Sequence, residues 1–170
     1  MQLNELLSNT AEMTGFYDSL KEKGRHMITG VSGSVRTLLL ADLEEKFQVP
    51  LIVVCDDLFH AQSLEEDLTN VFAEEDIDLF PVEENFAAAI SASSPEYKAQ
   101  RVRTLQKMAD GSSKIVVTSV SGIRRMLCPK DFWLKSTIKF KLGEEIIPEK
   151  LKQELCTMGY RAVKMVERPG

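Results

Sequence analysis

Apolar and polar residues are arranged along this chain in two patterns, one typical of buried strands and the other of amphipathic helices. Continuous β-branched runs at Leu51–Cys55 and Lys114–Thr118 predict buried strands of a parallel sheet. Helical spacing between Glu96 and Ala109 predicts a helix, with Pro95 in its first turn and Gly111 as its stop. Shorter apolar runs predict further strands at Arg25–Thr29, Ile77–Phe80, Ser136–Lys141 and Tyr160–Val166.

Capping residues and periodicity place the remaining helices. One or two helices are predicted within Leu3–Leu20, with a break suggested by Gly15 and by the polar run Ser8–Thr10. The other predicted helical segments are a helix from a Ser34 cap to about Phe47, one from an Asp56-Asp57 cap to about Phe72, a short one through Met126, a turn at Phe132–Leu134, and a helix from Pro148 to Gly159. Strands and helices therefore alternate from Arg25 to Thr118. This alternation predicts an α/β fold with a mostly parallel sheet flanked by helices.

The pattern changes after Lys141, and a boundary near Gly143 is expected. The predicted organisation is an N-terminal helical segment at 1–24, an α/β domain at 25–142 and the beginning of a small α+β domain at 143–170. The stretch from Glu83 to Ser94 has no regular pattern and is predicted to be largely a loop.

Composition excludes several functional classes. The 170 residues are 44% hydrophobic and 28% charged, as in ordinary soluble proteins. No apolar run approaches the ~20 residues that span a membrane, and the N-terminus has no basic start followed by an apolar stretch. Cys55, Cys128 and Cys156 are far apart, and no Cys-x-x-Cys pair exists. We therefore expect reduced thiols in a cytoplasmic protein without a zinc site.

Charge is distributed unevenly around a formal net charge of −5. Acids dominate between Asp42 and Glu84, and bases dominate between Lys98 and Lys141. The bases of the predicted helix lie off its apolar side and form a candidate basic surface: Lys98, Arg101, Arg103 and Lys107. This surface either is solvated, contacts a protein or another domain, or follows a nucleic-acid backbone. Few aromatic residues interleave with the bases, which disfavours a platform for stacking single-stranded bases.

A glycine-rich turn between a predicted strand and a helix is the context of a phosphate-binding loop, whose pattern is G-x-x-x-x-G-K-[ST]. The matching residues are Gly30, Val31, Ser32, Gly33, Ser34, Val35, Arg36 and Thr37. Gly30 and Thr37 are in register, but Val35 replaces the second glycine and Arg36 replaces the lysine. Valine intrudes where phosphate approaches, and a guanidinium does not take the place of a compact ammonium.

Carboxylates and nucleophiles do not supply an alternative active site. Ser119, not an acid, follows the strand Lys114–Thr118, so no clear metal-holding carboxylate accompanies the loop. Asp56 and Asp57 are better explained as a helix cap, and no serine has a histidine as a sequence neighbour. We predict no catalytic residue, no metal and no cofactor for this chain, with a structural turn favoured over weak anion binding at Gly30–Thr37.

An ordered set of short segments resembles the bacterial transcription-repair coupling factors, in the style of their Firmicute branch. The segments are Thr29–Arg36, Ser93–Glu96, Lys98–Arg101, Ile115–Val117, Ile123–Leu127, Met158–Arg161 and Pro169–Gly170. The resemblance implies an N-terminal module similar to the excision-repair protein UvrB, with a helicase-like first domain that lacks ATPase activity. It also implies the start of an inserted second domain that docks onto UvrA.

The resemblance implies partners as well. Tyr160 and Arg161 match a position where some family members use arginine to contact UvrA, whereas an exposed strand arginine is the plain structural alternative. Other contact residues of the family lie past Gly170, so we expect UvrA binding by this chain to be weakened. The family's first domain also gains more chain after the inserted domain, so we expect apolar surface to stay uncovered here and the chain to self-associate to some extent.

The resemblance also implies a motor that depends on ATP and magnesium, and regions that bind RNA polymerase and DNA. We expect both in the parent protein, outside this segment. The parent is expected to displace stalled RNA polymerase and recruit excision repair. Within the parent, the module is expected to recruit UvrA and to make autoinhibitory contacts with other domains. Two other classes stay open from the residues alone: a nucleic-acid-binding accessory domain of another helicase-like protein, and an independent nucleotide-using enzyme.

Overall fold

The computed structural model describes residues 10–82 and 94–163. Its helices are α1 (Ala11–Leu20), α2 (Ser34–Phe47), α3 (Leu58–Leu68), α4 (Pro95–Asp110), α5 (Val120–Ile123), α6 (Lys130–Lys135) and α7 (Pro148–Thr157). Its strands are β1 (Leu51–Cys55), β2 (Ile77–Phe80) and β3 (Ile115–Ser119), and a 3-10 turn at Glu74–Asp76 precedes β2.

The three strands form a parallel sheet in the order β1-β3-β2. Val117 at the centre of β3 pairs with Val53 on one side and Leu79 on the other. Every residue of β3 is buried, whereas β1 alternates between half-buried and exposed positions. This matches the continuous apolar run of β3, because a parallel strand in the middle of a sheet has both faces covered.

Helices cover the two faces of the sheet unequally. On one face, α3 packs Ala61, Leu64 and Leu68 into a cluster with strand residues such as Ile115 and Val117. On the other face, Leu105 of α4 packs against a smaller cluster of Phe80, Val82 and Val116. The same face of β1 has no such cover among the described residues, and Ile52 and Val54 are 57% and 42% exposed there.

The first two helices are joined by a buried polar contact. The hydroxyl of Tyr17 in α1 donates a hydrogen bond to the Asp42 carboxylate in α2, and both residues are buried. The Lys46 ammonium lies 3.8 Å from the centre of the Tyr17 ring, and Phe47 meets the same ring edge-on. The hydrogen bond satisfies the buried carboxylate, and the aromatic contacts fix α1 on α2.

The chain divides into two compact units, Met1–Met126 and Leu127–Gly170. The first contains the sheet and α1 to α5. The second contains α6 and α7, with α7 beginning at Pro148 in its first turn. The boundary near Gly143 and the three segments derived from it remain a prediction, and Gly143 falls inside the second unit.

Much of the predicted secondary structure is confirmed, including the α/β class with its parallel sheet. Strands at Leu51–Cys55 and Ile77–Phe80 have the predicted bounds, and β3 is shifted by one residue from Lys114–Thr118. Asp57 caps α3 as predicted by accepting a hydrogen bond from the His60 N–H at 2.8 Å. Gly111 ends α4 in the left-handed conformation with φ 79°.

Several expectations are wrong. Arg25–Thr29 and Ser136–Lys141 are not strands, and neither are the described residues 160–163 of the strand expected at Tyr160–Val166. Residues 25–30 are all exposed, and among the described residues no strand pairs with this segment, as a ladder requires. Helix α1 continues through Gly15 without a break, α3 ends at Leu68 rather than Phe72, and α5 ends at Ile123 rather than Met126. Gly33 instead of Ser34 occupies the N-cap of α2. Predictions for Leu3–Asn9, 83–93 and 164–166 fall outside the described residues.

Two glycines in the first unit give opposite expectations for alanine substitution. A methyl group on Gly122 would collide with the Thr118 side chain, whose hydroxyl donates to the Phe80 carbonyl. Gly122→Ala should therefore lower the free energy of unfolding by about 2 kcal/mol. Gly15 lies exposed within α1 with open space around it, so Gly15→Ala should raise stability by about 0.7 kcal/mol. Urea unfolding of both variants measures the difference, and equal effects would contradict this packing.

Candidate functional site

The loop before α2 contains two glycines with positive φ. Gly30 and Gly33 have φ values of 80° and 54°, a region that glycine adopts readily and valine does not. Gly33 is the N-cap of α2 but supplies no side-chain cap, so this turn depends on backbone conformation. The two glycines thus direct the chain from the exposed segment 25–30 into the helix.

The backbone donors of this loop are partly occupied. The Val35 N–H donates to the Ser32 carbonyl at 3.3 Å, and the Arg36 N–H donates to the Gly33 carbonyl at 3.1 Å. A phosphate loop needs free N–H groups at the start of its helix to surround the anion. Here two of those groups close a local turn, which reduces what the helix terminus offers to phosphate.

The side chains of Val35, Arg36 and Thr37 differ in exposure and in surroundings. Val35 is 41% exposed at the position of the missing glycine, while Thr37 is 4% exposed. The Thr37 hydroxyl has no hydrogen-bond partner among the described residues. Arg36 is exposed but close enough to the end of β1 to act on Cys55. Burial raises the pKa of the Cys55 thiol, and the Arg36 charge opposes that shift.

The candidate basic surface on α4 separates into two internal anchors and two exposed residues. Arg101 donates to the Pro81 carbonyl at 2.9 Å, just after β2. Lys107 pairs with Asp78 at 2.7 Å and donates to the Glu75 carbonyl at 2.6 Å. Lys98 and Arg103 are exposed. Half of the predicted surface therefore attaches α4 to the edge of the sheet.

Asp78 is the polar residue in this region that the sequence pattern did not identify. Its side chain is only 4% exposed, and it accepts hydrogen bonds from Lys107 and from the Ser113 hydroxyl at 2.8 Å. The available signal was an acid inside the apolar run Ile77–Phe80, because a buried carboxylate requires a partner. Its charge is balanced by Lys107, a residue 29 positions away.

Removal of Lys107 should therefore be costly. Lys107→Met leaves Asp78 buried without its cation, so we expect the free energy of unfolding to fall by about 3 kcal/mol. Lys98→Met makes the same substitution at an exposed position of the same helix and should change stability by less than about 0.5 kcal/mol. Chemical denaturation of the two variants makes the comparison. If both variants lost the same free energy of unfolding, the buried pair of Lys107 and Asp78 would not be a special source of stability.

The end of α7 fixes the second candidate site. Gly159 has φ 98°, its N–H donates to the Cys156 carbonyl at 3.1 Å, and the Tyr160 N–H donates to the Leu155 carbonyl at 3.0 Å. These two bonds form a Schellman motif, a common helix end that requires a left-handed residue. The motif places Tyr160 and Arg161 immediately past the helix, and Tyr160 is 67% exposed.

Tyr160 and Arg161 border a mostly apolar groove of about 290 Å³ along α7. Its lining includes Pro148, Leu151, Leu155 and Cys156, with Lys152 and Arg161 as its cations. The groove combines an apolar floor with positive charge, so it suits an apolar side chain that has a carboxylate beside it.

Two further observations concern the described residues. Across 10–82 and 94–163, no three His, Cys, Asp or Glu side chains come together as metal ligands would. No helix in these ranges has both the length and the apolar character that crossing a bilayer requires.

The three-stranded parallel sheet and its flanking helices define an α/β domain, with Val35 and Arg36 in the first turn of its helix α2. The chain is 33% identical over 158 residues to the transcription-repair-coupling factor of Bacillus subtilis strain 168, a match covering 93% of this chain and 13% of that protein. It belongs to the transcription-repair-coupling factor family.

Related proteins with the same name match less closely. Those of Staphylococcus aureus strain USA300 and Staphylococcus haemolyticus are each 26% identical over 144 residues, covering 85% of this chain and 12% of theirs. The chain therefore spans about an eighth of the length of these relatives. No protein-family model matches it.

Proposed function

We propose that this chain is the N-terminal, non-catalytic UvrB-like module of a cytoplasmic transcription-repair coupling factor. In this proposal the module recruits UvrA and makes autoinhibitory contacts with other domains of the parent protein. ATP and magnesium serve the parent's motor, which moves on DNA, displaces stalled RNA polymerase at lesions and brings in excision repair. The observation that carries the proposal is the altered loop at Gly30–Thr37 in a chain of this family.

Three features of that loop disfavour nucleotide hydrolysis. Val35 and Arg36 replace the residues that admit and contact phosphate. Their N–H groups are engaged with Ser32 and Gly33. Thr37, which would hold magnesium in an active loop, is 4% exposed. Each feature weakens nucleotide binding by a separate physical route, so restoring one residue would not restore the site.

Calorimetry with Mg-ATP tests this part. We expect no saturable heat at micromolar nucleotide for the natural chain, because the loop lacks both its lysine and its free donors. The double variant Val35→Gly with Arg36→Lys should also fail to bind at micromolar concentration, since the local turn remains. Saturable binding by the natural chain would overturn the non-catalytic assignment.

Recruitment of UvrA is assigned to the end of α7. The Schellman motif at Gly159 holds Tyr160 and Arg161 beside the apolar groove. A planar guanidinium next to an aromatic ring suits an acidic partner surface, because it can form two parallel hydrogen bonds with a carboxylate. The unit Leu127–Gly170 would thus carry the partner contact, while the unit with the sheet carries the altered loop.

The sharpest test of recruitment reverses one charge in the full-length parent protein. Arg161→Glu should reduce capture of UvrA by about tenfold or more, because a carboxylate then faces an acidic surface. Lys139→Glu is the matched control, since Lys139 is exposed in the same unit and should leave capture unchanged. If Arg161→Glu captures UvrA as well as the natural protein does, Arg161 is not the contact.

The other proposed role is contact with neighbouring domains, and α4 supplies an argument for it. Arg101 and Lys107 are engaged with the sheet, which leaves Lys98 and Arg103 as exposed cations of the helix. Two exposed cations on a chain of net charge −5 are few for binding a nucleic-acid backbone. Salt-dependent DNA binding by the isolated chain would favour the accessory-domain alternative.

A further inference from the structure

Helix α1 is attached to the first unit chiefly through one side chain. Of residues 12–20, only Tyr17 is buried. Its hydroxyl donates to the Asp42 carboxylate, its ring meets the Phe47 ring edge-on, and the Lys46 ammonium lies over its face. All three partners belong to α2, so Tyr17 is the anchor that holds α1 against α2.

This anchor lies on the side of α2 that faces away from the sheet. Leu40 of α2 packs against the core cluster formed by α3 and the strands. Two positions along an α-helix correspond to a rotation of about 200°, so Asp42 lies on the opposite side of α2 from Leu40. Among the described residues, neither core cluster of the sheet includes a residue of α1. Release of α1 therefore leaves the packing of the sheet intact.

Helix α1 is too short to be stable by itself. It has ten residues, and isolated helices shorter than ~12–15 residues are marginal in water. Gly15 lies near its centre, where glycine weakens a helix relative to alanine. Thr10 caps its first turn by accepting a hydrogen bond from the Met13 N–H at 3.3 Å. Folding of α1 is therefore coupled to the docking of Tyr17 on α2.

The connection between α1 and α2 gives α1 room to move. Residues 21–30 are all exposed and form neither helix nor strand. The Ser19 hydroxyl and the His26 imidazole lie 3.3 Å apart at the surface, where water competes for both groups. Residues 21–33 reach up to about 40 Å when extended. The connection thus allows α1 to leave α2 without strain on the sheet.

We propose that α1 is a strap that opens from α2 and closes on it as one unit while the sheet stays folded, with Tyr17 as its anchor. The open state is a local unfolding of α1, and folded proteins open in such contiguous segments at a lower free energy than global unfolding. Asp42 becomes accessible to other molecules in that state, because Tyr17 covers it in the closed state. The inference goes beyond the proposed function, since it involves neither UvrA nor the parent's motor.

Native-state hydrogen exchange of the 170-residue chain in dilute urea tests the strap. After correction for intrinsic rates, the amides of Gly15–Leu20 should exchange at least about tenfold faster than those of β3. Their exchange should rise little with urea, because opening of α1 exposes little surface, whereas exchange in β3 should rise steeply through global unfolding. Equal rates and equal urea dependence in α1 and β3 would overturn the proposal, since α1 would then open only together with the sheet.

Three variants separate the anchor from the sheet. Tyr17→Phe removes a hydrogen bond to a carboxylate and should speed exchange in α1 by about tenfold. Tyr160→Phe makes the same change at an exposed residue of the second unit and should leave α1 unchanged. Ile115→Val weakens the sheet core and should speed exchange in β3 by about fivefold but not in α1, because the open and closed strap share one sheet. Faster exchange in α1 with Ile115→Val, or no change with Tyr17→Phe, would refute the strap.

Discussion

The structure depends on the position of β3 between two strands that do not pair with each other in the described sheet. Leu51 of β1 and Ile77 of β2 both pair with Ile115. The sheet is therefore complete only when a strand late in the chain enters between two earlier ones. Such contacts join distant residues, so the closing of long loops must be offset by burial of the centre. β3 supplies that burial, because all five of its side chains are covered.

Helix α4 carries polar residues on the side that meets β2. Thr104 donates to the Leu79 carbonyl at 2.7 Å, and Arg101 donates to the Pro81 carbonyl. Lys107 neutralises Asp78, which also holds Ser113 in the turn leading into β3. The helix is attached to its strand by hydrogen bonds as much as by apolar contact. The charged residues of α4 resemble a solvent-exposed or nucleic-acid-binding surface in sequence, but some of them attach the helix to the sheet.

The sequence predicted correctly those elements that depend on interactions between nearby residues, or on strands with apolar residues on both faces. The β-branched runs of β1 and β3, the Asp57 cap and the Gly111 stop all produce patterns within a few residues of themselves. It failed at Arg25–Thr29, because forming a strand there depends on a neighbour whose presence no local pattern encodes. The Asp78–Lys107 pair was missed for the same reason, since its two charges meet only after β2 and α4 pack together.

The candidate sites show the same division. The sequence motif alone shows that Val35 and Arg36 replace the phosphate-binding residues. The hydrogen bonds from their N–H groups to the Ser32 and Gly33 carbonyls are seen only in the structure. Position 161 was identified by resemblance, while the Schellman motif and the groove that orient it became visible only in the structure. Its role in binding UvrA remains a prediction that the fold does not by itself decide.

The glycine turn before α2 has a structural role of its own. Gly30 and Gly33 occupy conformations that few residues other than glycine adopt readily, and they direct the chain into α2. Helix α2 in turn carries Asp42, the buried acceptor for Tyr17, so the docking of α1 depends on the same turn. Substitution of the phosphate-contacting residues leaves this framework intact, whereas substitution of the glycines would disturb two helices. The fold therefore requires the two glycines for a reason that is independent of nucleotide binding.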